Sequence, residues 1–156
     1  MTRREVEEIL SHLLLPAADT YEVPSEQGWR TLESRFGTRF PQDFVNFVEA
    51  MTSFDFPGEL YNVSSGLRTN GNDTIVTVYD MEVADPAWPR WLIPFYGIGN
   101  GDYFALDARA GDSSPVLYWY HERKRAEKYS ESFAEWVKQL PAFLQEEDSQ
   151  GTPDPE

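Results

Sequence analysis

The strongest constraint on the fold of this 156-residue chain is a change in the spacing of its apolar residues. The first segment predicts a helix over Arg3–Leu15, because its apolar side chains recur on one helical face, namely Val6, Ile9, Leu10, Leu13 and Leu14. A second helix follows Ser25, its predicted N-cap, and ends at Gly37. Pro41 suits the first position of a third helix. The first part of the chain is therefore helical.

The middle of the chain carries short runs rich in β-branched and aromatic residues, bounded by Gly, Pro, Asn and Asp. These runs predict five strands: Leu60–Val63, Ile75–Tyr79, Leu92–Phe95, Tyr103–Leu106 and Val116–Tyr120. Asn70-Gly71 predicts a tight hairpin turn. Asp80–Trp91 contains two prolines and predicts a loop or an irregular crossover.

One more helix and a tail complete the prediction. Ser132 and Glu135 have the spacing of a capping box, and Pro141 is expected to break or kink the helix that they begin. Residues 146–156 are polar and acidic and predict a disordered tail. Helices, then strands, then a helix predict a single α+β domain over residues 1–145. Its twisted, mostly antiparallel sheet of about five strands packs against N- and C-terminal helices.

Charge and composition limit the classes of partner and chemistry. The formal net charge is -14 and the sequence pI is about 4.4, so nucleic acid and anionic membranes are repelled and a basic protein partner is expected. Acidity that only keeps the protein soluble is the alternative. The chain has no cysteine, which excludes disulfides, thiolate catalysis and sulfur-ligated zinc. Met1–Leu15 mixes charged and apolar residues, so no signal peptide is expected, and a cytoplasmic location fits best.

Four motifs raise the question of catalysis or ligand binding. The glycines of Gly97–Gly101 precede a predicted strand rather than a helix, so a tight strand connection is favoured over a phosphate loop. Asn100, Asp102 and Asp107 lack calcium-loop spacing and are interpreted as turn-capping residues. His121 is the one plausible catalytic base. The basic run Arg123, Lys124, Arg125 and Lys128 is interpreted as a solvated loop or helix face.

Taken in order, the landmarks of this chain resemble the SUKH superfamily, also called Smi/Knr-like after yeast regulators of cell-wall synthesis. At Met51–Gly58 the chain departs from the family, which often has Asn-Gly there, so the resemblance does not define the path into the first strand. The matching residues are Trp29, Leu32, Glu33, Gly37, Phe40-Pro41, Asp43-Phe44, Phe47-Val48, Ile93-Pro94-Phe95, Gly101–Asp107, Val116, Tyr118-Trp119, His121-Glu122, Ser132-Phe133, Trp136 and Leu140.

The resemblance implies a function in binding, with no catalytic residue, no cofactor and no metal. It implies that Trp29, Phe44, Phe104 and Trp136 belong to the core. Bacterial members are chiefly immunity proteins that occlude a secreted polymorphic toxin, often a nuclease. The leading hypothesis is therefore an immunity protein whose partner is a basic toxin domain.

A regulatory or scaffold binding module of the cell-wall type is the first alternative to an immunity protein, and a hydrolase that uses His121 is the second. The predicted partner-binding residues lie in Asp80–Trp91, a segment that the family pattern does not explain, and they are Asp80, Glu82, Asp85 and Trp88. A solvated loop held in place by a buried Trp88 is the alternative interpretation of these four residues.

Overall fold

A computed structural model of the protein describes residues 1–17, 23–56, 59–61, 63 and 74–151, except the side chains of residues 59 and 146–151. Its helices are α1 (Arg3–Leu13), α2 (Glu26–Phe36), α3 (Gln42–Met51), α4 (Ile75–Glu82) and α5 (Phe133–Gly151), with a short 3-10 turn at Gly111–Ser113. Its strands are β1 (Glu59–Leu60), β2 (Leu92–Gly97), β3 (Tyr103–Asp107), β4 (Val116–Tyr120) and β5 (Arg125–Ser130).

The predicted architecture is confirmed. The sheet order is β1-β2-β3-β4-β5, and every neighbouring pair is antiparallel. Four of these strands are of ordinary length, and β1 contributes a two-residue pairing at one edge. β3 lies in the middle of the sheet, with Phe104 opposite Tyr118 on β4.

The helix ends follow local capping chemistry. The Ser25 hydroxyl accepts a hydrogen bond from the Gly28 amide at 3.0 Å, and Gly37 ends α2 at φ +64°, where a side chain would be strained. Both predictions for α2 are confirmed. Pro41 lies immediately before α3, so it is the N-cap rather than the first helical residue. α1 ends at Leu13 rather than at Leu15.

The last helix continues beyond its proline. The Ser132 hydroxyl accepts a hydrogen bond from the Glu135 amide at 3.2 Å, which is one half of the predicted capping box. Of the predicted break or kink at Pro141, the break is wrong, because α5 continues to Gly151, and the kink stays a prediction. The boundary predicted at residue 146 therefore falls inside α5, while residues 152–156 lie outside the described residues.

One predicted strand is a helix. Ile75–Tyr79 begins α4 because the Thr74 hydroxyl accepts a hydrogen bond from the Thr77 amide at 3.1 Å and caps the helix. Ile75, Val78 and Tyr79 stand at the i, i+3, i+4 spacing of one face, and all three are buried. Packing of this face therefore outweighs the β-branched composition.

Three other local predictions concern the basic run, the first strand and the Asn70-Gly71 hairpin. The basic run predicted as a loop or helix face lies in the β4–β5 turn and on β5, where Arg125 pairs with Tyr120. The strand predicted at Leu60–Val63 is reduced to β1, although the Tyr61 amide still donates to the Phe95 carbonyl at 3.0 Å. The hairpin predicted at Asn70-Gly71 lies outside the described residues.

The main core lies between one face of the sheet and helices α2, α3 and α5. Phe44 packs edge-on against Phe95 and Phe133, and Phe47 packs against Trp136. All four residues that the resemblance assigned to the core are buried: Trp29, Phe44, Phe104 and Trp136. Full burial of such an aromatic side chain stabilises the fold by about 1.5–3 kcal/mol.

The opposite face of the sheet is covered by the chain between α4 and β2. A smaller apolar cluster forms there, and it consists of Trp88, Leu92, Ala105, Leu117 and Trp119. The sheet is thus packed on both faces, and its second face carries the segment predicted to bind a partner.

None of the helices in the described parts of the chain has the length and apolar character needed to span a membrane.

Candidate functional site

Trp88 fixes the chain between α4 and β2 on the second face of the sheet. Its side chain is only 3% exposed, and its Nε1 donates a hydrogen bond to the Leu92 carbonyl at 3.0 Å. The ring centroid lies 4.8 Å from that of Trp119 and 5.5 Å from that of Tyr103. The buried indole thus holds an exposed connection in place, which is the alternative interpretation left open by the sequence.

The three predicted carboxylates stand together at the end of α4, and each contacts a different element. Asp80 forms an ion pair with Arg35 of α2 at 2.6 Å. Glu82 accepts a hydrogen bond from the Tyr103 hydroxyl of β3 at 3.1 Å. Asp85 accepts one from the Ala87 amide at 2.9 Å, and it pairs with Lys124 of the β4–β5 turn at 3.1 Å. The pKa of Asp85 is lowered, chiefly by the hydrogen bond from the Ala87 amide and next by the hydrogen bond from Lys124.

Met81 lies between two of these acids and was not predicted to take part in binding. Its side chain is 65% exposed, which is high for a large apolar residue. In sequence it looks like one more core residue of an apolar run, and only the orientation of α4 places it outward. We call Asp80, Met81, Glu82 and Asp85 the acidic corner.

Asp102 ties the β2–β3 hairpin to the end of β4. Its Oδ1 accepts hydrogen bonds from the His121 amide at 2.8 Å and from His121 Nδ1 at 2.6 Å. Its Oδ2 accepts one from the Tyr118 hydroxyl at 2.8 Å. Burial acts to raise the pKa of Asp102, but these hydrogen bonds from His121 and Tyr118 outweigh it, so the pKa is lowered.

The predicted tight connection between β2 and β3 is confirmed, and no helix begins there. Gly99 and Gly101 both have positive φ, at +94° and +96°. A Cβ on Gly101 would lie 3.0 Å from His121 Cγ, so only glycine allows the imidazole to pack so closely. This close approach positions His121 against Asp102.

The turn-capping roles predicted for the other polar residues are also confirmed. Asn100 Oδ1 accepts a hydrogen bond from the Asp102 amide at 2.9 Å, and Asp107 Oδ1 accepts one from the Arg109 amide at 2.8 Å. In the described parts of the chain, no three His, Asp or Glu side chains stand close enough together to hold a metal ion.

His121 has part of the hydrogen-bonding arrangement that a Ser-His-Asp hydrolase requires. A histidine held by an aspartate is two thirds of a Ser-His-Asp arrangement, and the remaining part is a hydroxyl that donates to the histidine. Asp102 is the one side chain that hydrogen-bonds the His121 imidazole in the part of the chain that the structure covers. The pair therefore joins two hairpins, and among the described residues no hydroxyl hydrogen-bonds the imidazole.

Comparison with known proteins finds similarity to one protein family and to solved structures. A SUKH family model described as SMI1-KNR4 cell-wall matches residues 4–144. Among solved structures, the crystal structure of a protein from Pseudomonas syringae pv. tomato is similar over 88% of this chain and 96% of its own, with a TM-score of 0.64 and 22% sequence identity. At this identity the likeness shows the fold alone. No curated protein matches the chain.

Proposed function

Because the chain belongs to the SUKH family of SMI1-KNR4 cell-wall type, we propose that it is a non-catalytic domain that binds another protein. We propose further that it is an immunity protein whose partner is a basic toxin domain. The observation that carries the proposal is the acidic corner, where the exposed Met81 stands among three carboxylates at the end of α4, next to the connection that Trp88 holds. A rigid apolar centre with a charged rim is the usual composition of a protein interface.

The ion pairs within the acidic corner are compatible with binding. Arg35 and Lys124 already neutralise two of its three carboxylates, but all four of these side chains are more than 40% exposed. Exposed pairs of this kind contribute only about 0–1 kcal/mol. Cations of a partner can therefore replace Arg35 and Lys124 at little cost, while Met81 supplies apolar contact.

The net charge of -14 supports a basic partner. A nuclease must hold phosphate groups on a basic surface, and an acidic protein competes for that surface. Opposite net charges raise association rates by about 10- to 1,000-fold at low salt. Electrostatic attraction should therefore appear mainly in the association rate, and loss of Met81 mainly in the dissociation rate.

The first experiment measures binding of the toxin domain encoded beside this gene. Association rates are compared at low and high salt for the wild-type chain and for the variant Asp80→Asn, Glu82→Gln, Asp85→Asn. A control variant with the same change in charge carries Glu8→Gln, Asp55→Asn and Glu135→Gln, three exposed carboxylates elsewhere in the chain. We expect the corner variant to associate about tenfold more slowly than the control at low salt, and Met81→Ala to dissociate faster.

Each result bears on a separate part of the proposal. Equal association rates for the two triple variants would exclude the acidic corner. A rate that does not depend on salt would exclude electrostatic attraction, and failure to bind the toxin or to protect cells would contradict the immunity role. Loss of a hydrolytic activity in His121→Ala would contradict the non-catalytic role.

A further inference from the structure

A cavity of about 360 Å³ opens where the α2–α3 connection meets the 3-10 turn between β3 and β4. The turn packs closely there, since a Cβ on Gly111 would lie 3.4 Å from the Thr38 hydroxyl. The volume is within the range of small ligand pockets. Its lining residues combine aromatic, aliphatic and charged side chains, namely Trp29, Glu33, Arg39, Phe40, Gln42, Val45 and Asp112.

The charged side chains of this cavity differ from those of the acidic corner because they are unpaired. Among the described residues, Glu33, Arg39 and Asp112 form no side-chain hydrogen bond or ion pair. Two carboxylates and one guanidinium leave the cavity with excess negative charge. The carboxylates of Glu33 and Asp112 are thus available to a cation from outside.

The apolar part of the cavity lies beside these carboxylates. Trp29 and Glu33 are four residues apart and occupy one face of α2. Phe40 adds a second ring, whose centroid is 6.4 Å from that of Trp29. An aliphatic stem that packs on the two rings therefore leads towards a carboxylate, and a cation over an aromatic ring is itself attracted to it.

Trp29 also carries an unsatisfied polar group. Its Nε1 is buried and has no hydrogen-bond partner in the parts of the chain that the structure describes. Buried N–H groups are almost always paired, so this donor calls for an acceptor.

From these observations we infer that the cavity receives an arginine or lysine side chain of a protein partner. The stem packs on Trp29 and Phe40, and the cation pairs with Glu33 and Asp112. The inference rests on the proposed function for the identity of the partner. The side-chain chemistry is testable without that partner.

The test titrates the full chain with Nα-acetyl-arginine amide and Nα-acetyl-lysine amide, whose side chains remain charged. The indole N–H resonance of Trp29 is monitored by NMR during the titration. N-acetyl-glutamine amide and N-acetyl-glutamate amide are the neutral and anionic controls. We expect a saturable shift with the cationic probes only, at dissociation constants of about 1–10 mM. Glu33→Gln and Asp112→Asn should each weaken binding about three- to tenfold.

Two variants show the sign of the recognised charge. Arg39→Gln removes a positive charge from the cavity, so binding of the cationic probes should tighten. If the cavity were an anion site, the same change would abolish binding. Glu8→Gln, at an exposed residue of α1 outside the cavity, should leave binding of the probes unchanged. Thermal unfolding of each variant shows whether the fold is retained.

Several outcomes would overturn the inference: no saturable shift, an equal shift with the glutamine or glutamate probe, or weaker cation binding in Arg39→Gln. Probe binding without toxin binding would contradict the proposed function and leave the cavity as a cation site. Toxin binding that is unchanged in Glu33→Gln and Asp112→Asn would separate the cavity from the interface and overturn the inference.

Discussion

Asp102 shows how much of this fold depends on one carboxylate. It accepts three hydrogen bonds, and their donors belong to His121 and Tyr118, so two adjacent strand ends are held by one side chain. Hydrogen bonds to a charged group contribute about 1.5–3 kcal/mol each in favourable cases. The Asp102 side chain is only 13% exposed, so water competes weakly for these bonds.

We expect Asp102→Asn to lower the free energy of unfolding by about 1–3 kcal/mol at neutral pH. The pKa of Asp102 is lowered in the folded state, so its contribution is present above the unfolded pKa of about 3.9 and is lost as the pH falls through the folded pKa. The difference between variant and wild type should therefore shrink below about pH 4. Urea unfolding from pH 7 to pH 3 measures it, with the exposed Asp112→Asn as control. A pH-independent difference would contradict this account.

At the same scale, the sequence could predict only part of the candidate site. Burial of Trp88 was foreseen as an alternative, because a tryptophan in a polar loop usually anchors it. Exposure of Met81 was not predicted from the sequence, because it depends on how α4 packs. Glu33 and Asp112 meet at one cavity only after the chain has folded, and no local pattern connects two residues so far apart in sequence.

At the scale of elements, the errors fall where local composition and tertiary packing disagree. α4 is rich in β-branched residues, yet the Thr74 cap and the buried face of Ile75, Val78 and Tyr79 make it a helix. β5 is charged, and only one of its six residues is buried. Charged edge strands of this kind avoid aggregation, and they show little of the alternation between apolar and polar residues that predicts a strand. The remaining three long strands were predicted because both of their faces are packed.

The β2–β3 hairpin allows a test with a matched pair of glycines. Gly99 and Gly101 have nearly equal positive φ, but only a Cβ on Gly101 meets neighbouring atoms, 3.0 Å from His121 Cγ. We expect Gly99→Ala to cost about 1 kcal/mol through backbone strain alone, and Gly101→Ala to cost about 1–3 kcal/mol more. Denaturant unfolding of the two variants measures the difference. Equal losses would show that the His121 contact can relax.

At the scale of the whole molecule, the charge of -14 acts on folding as well as on binding. Like charges are closer together in the folded chain than in the unfolded one, so their repulsion favours unfolding. The exposed ion pairs offset little of this repulsion, since each contributes about 0–1 kcal/mol. Stability should therefore depend on ionic strength even without a partner.

We expect the thermal midpoint at pH 7 to rise as NaCl is added, because screening shortens the Debye length from about 30 Å at 0.01 M to about 10 Å at 0.1 M. A gain of about 1 kcal/mol corresponds to about 2–4 °C for a domain of this size. The internal control is a pH near the sequence pI of about 4.4, where net repulsion vanishes and the same addition of salt should have little effect. Differential scanning calorimetry at both pH values measures the two responses. A midpoint that falls with salt at pH 7 would show that specific ion pairs such as Arg35–Asp80 outweigh the repulsion between like charges.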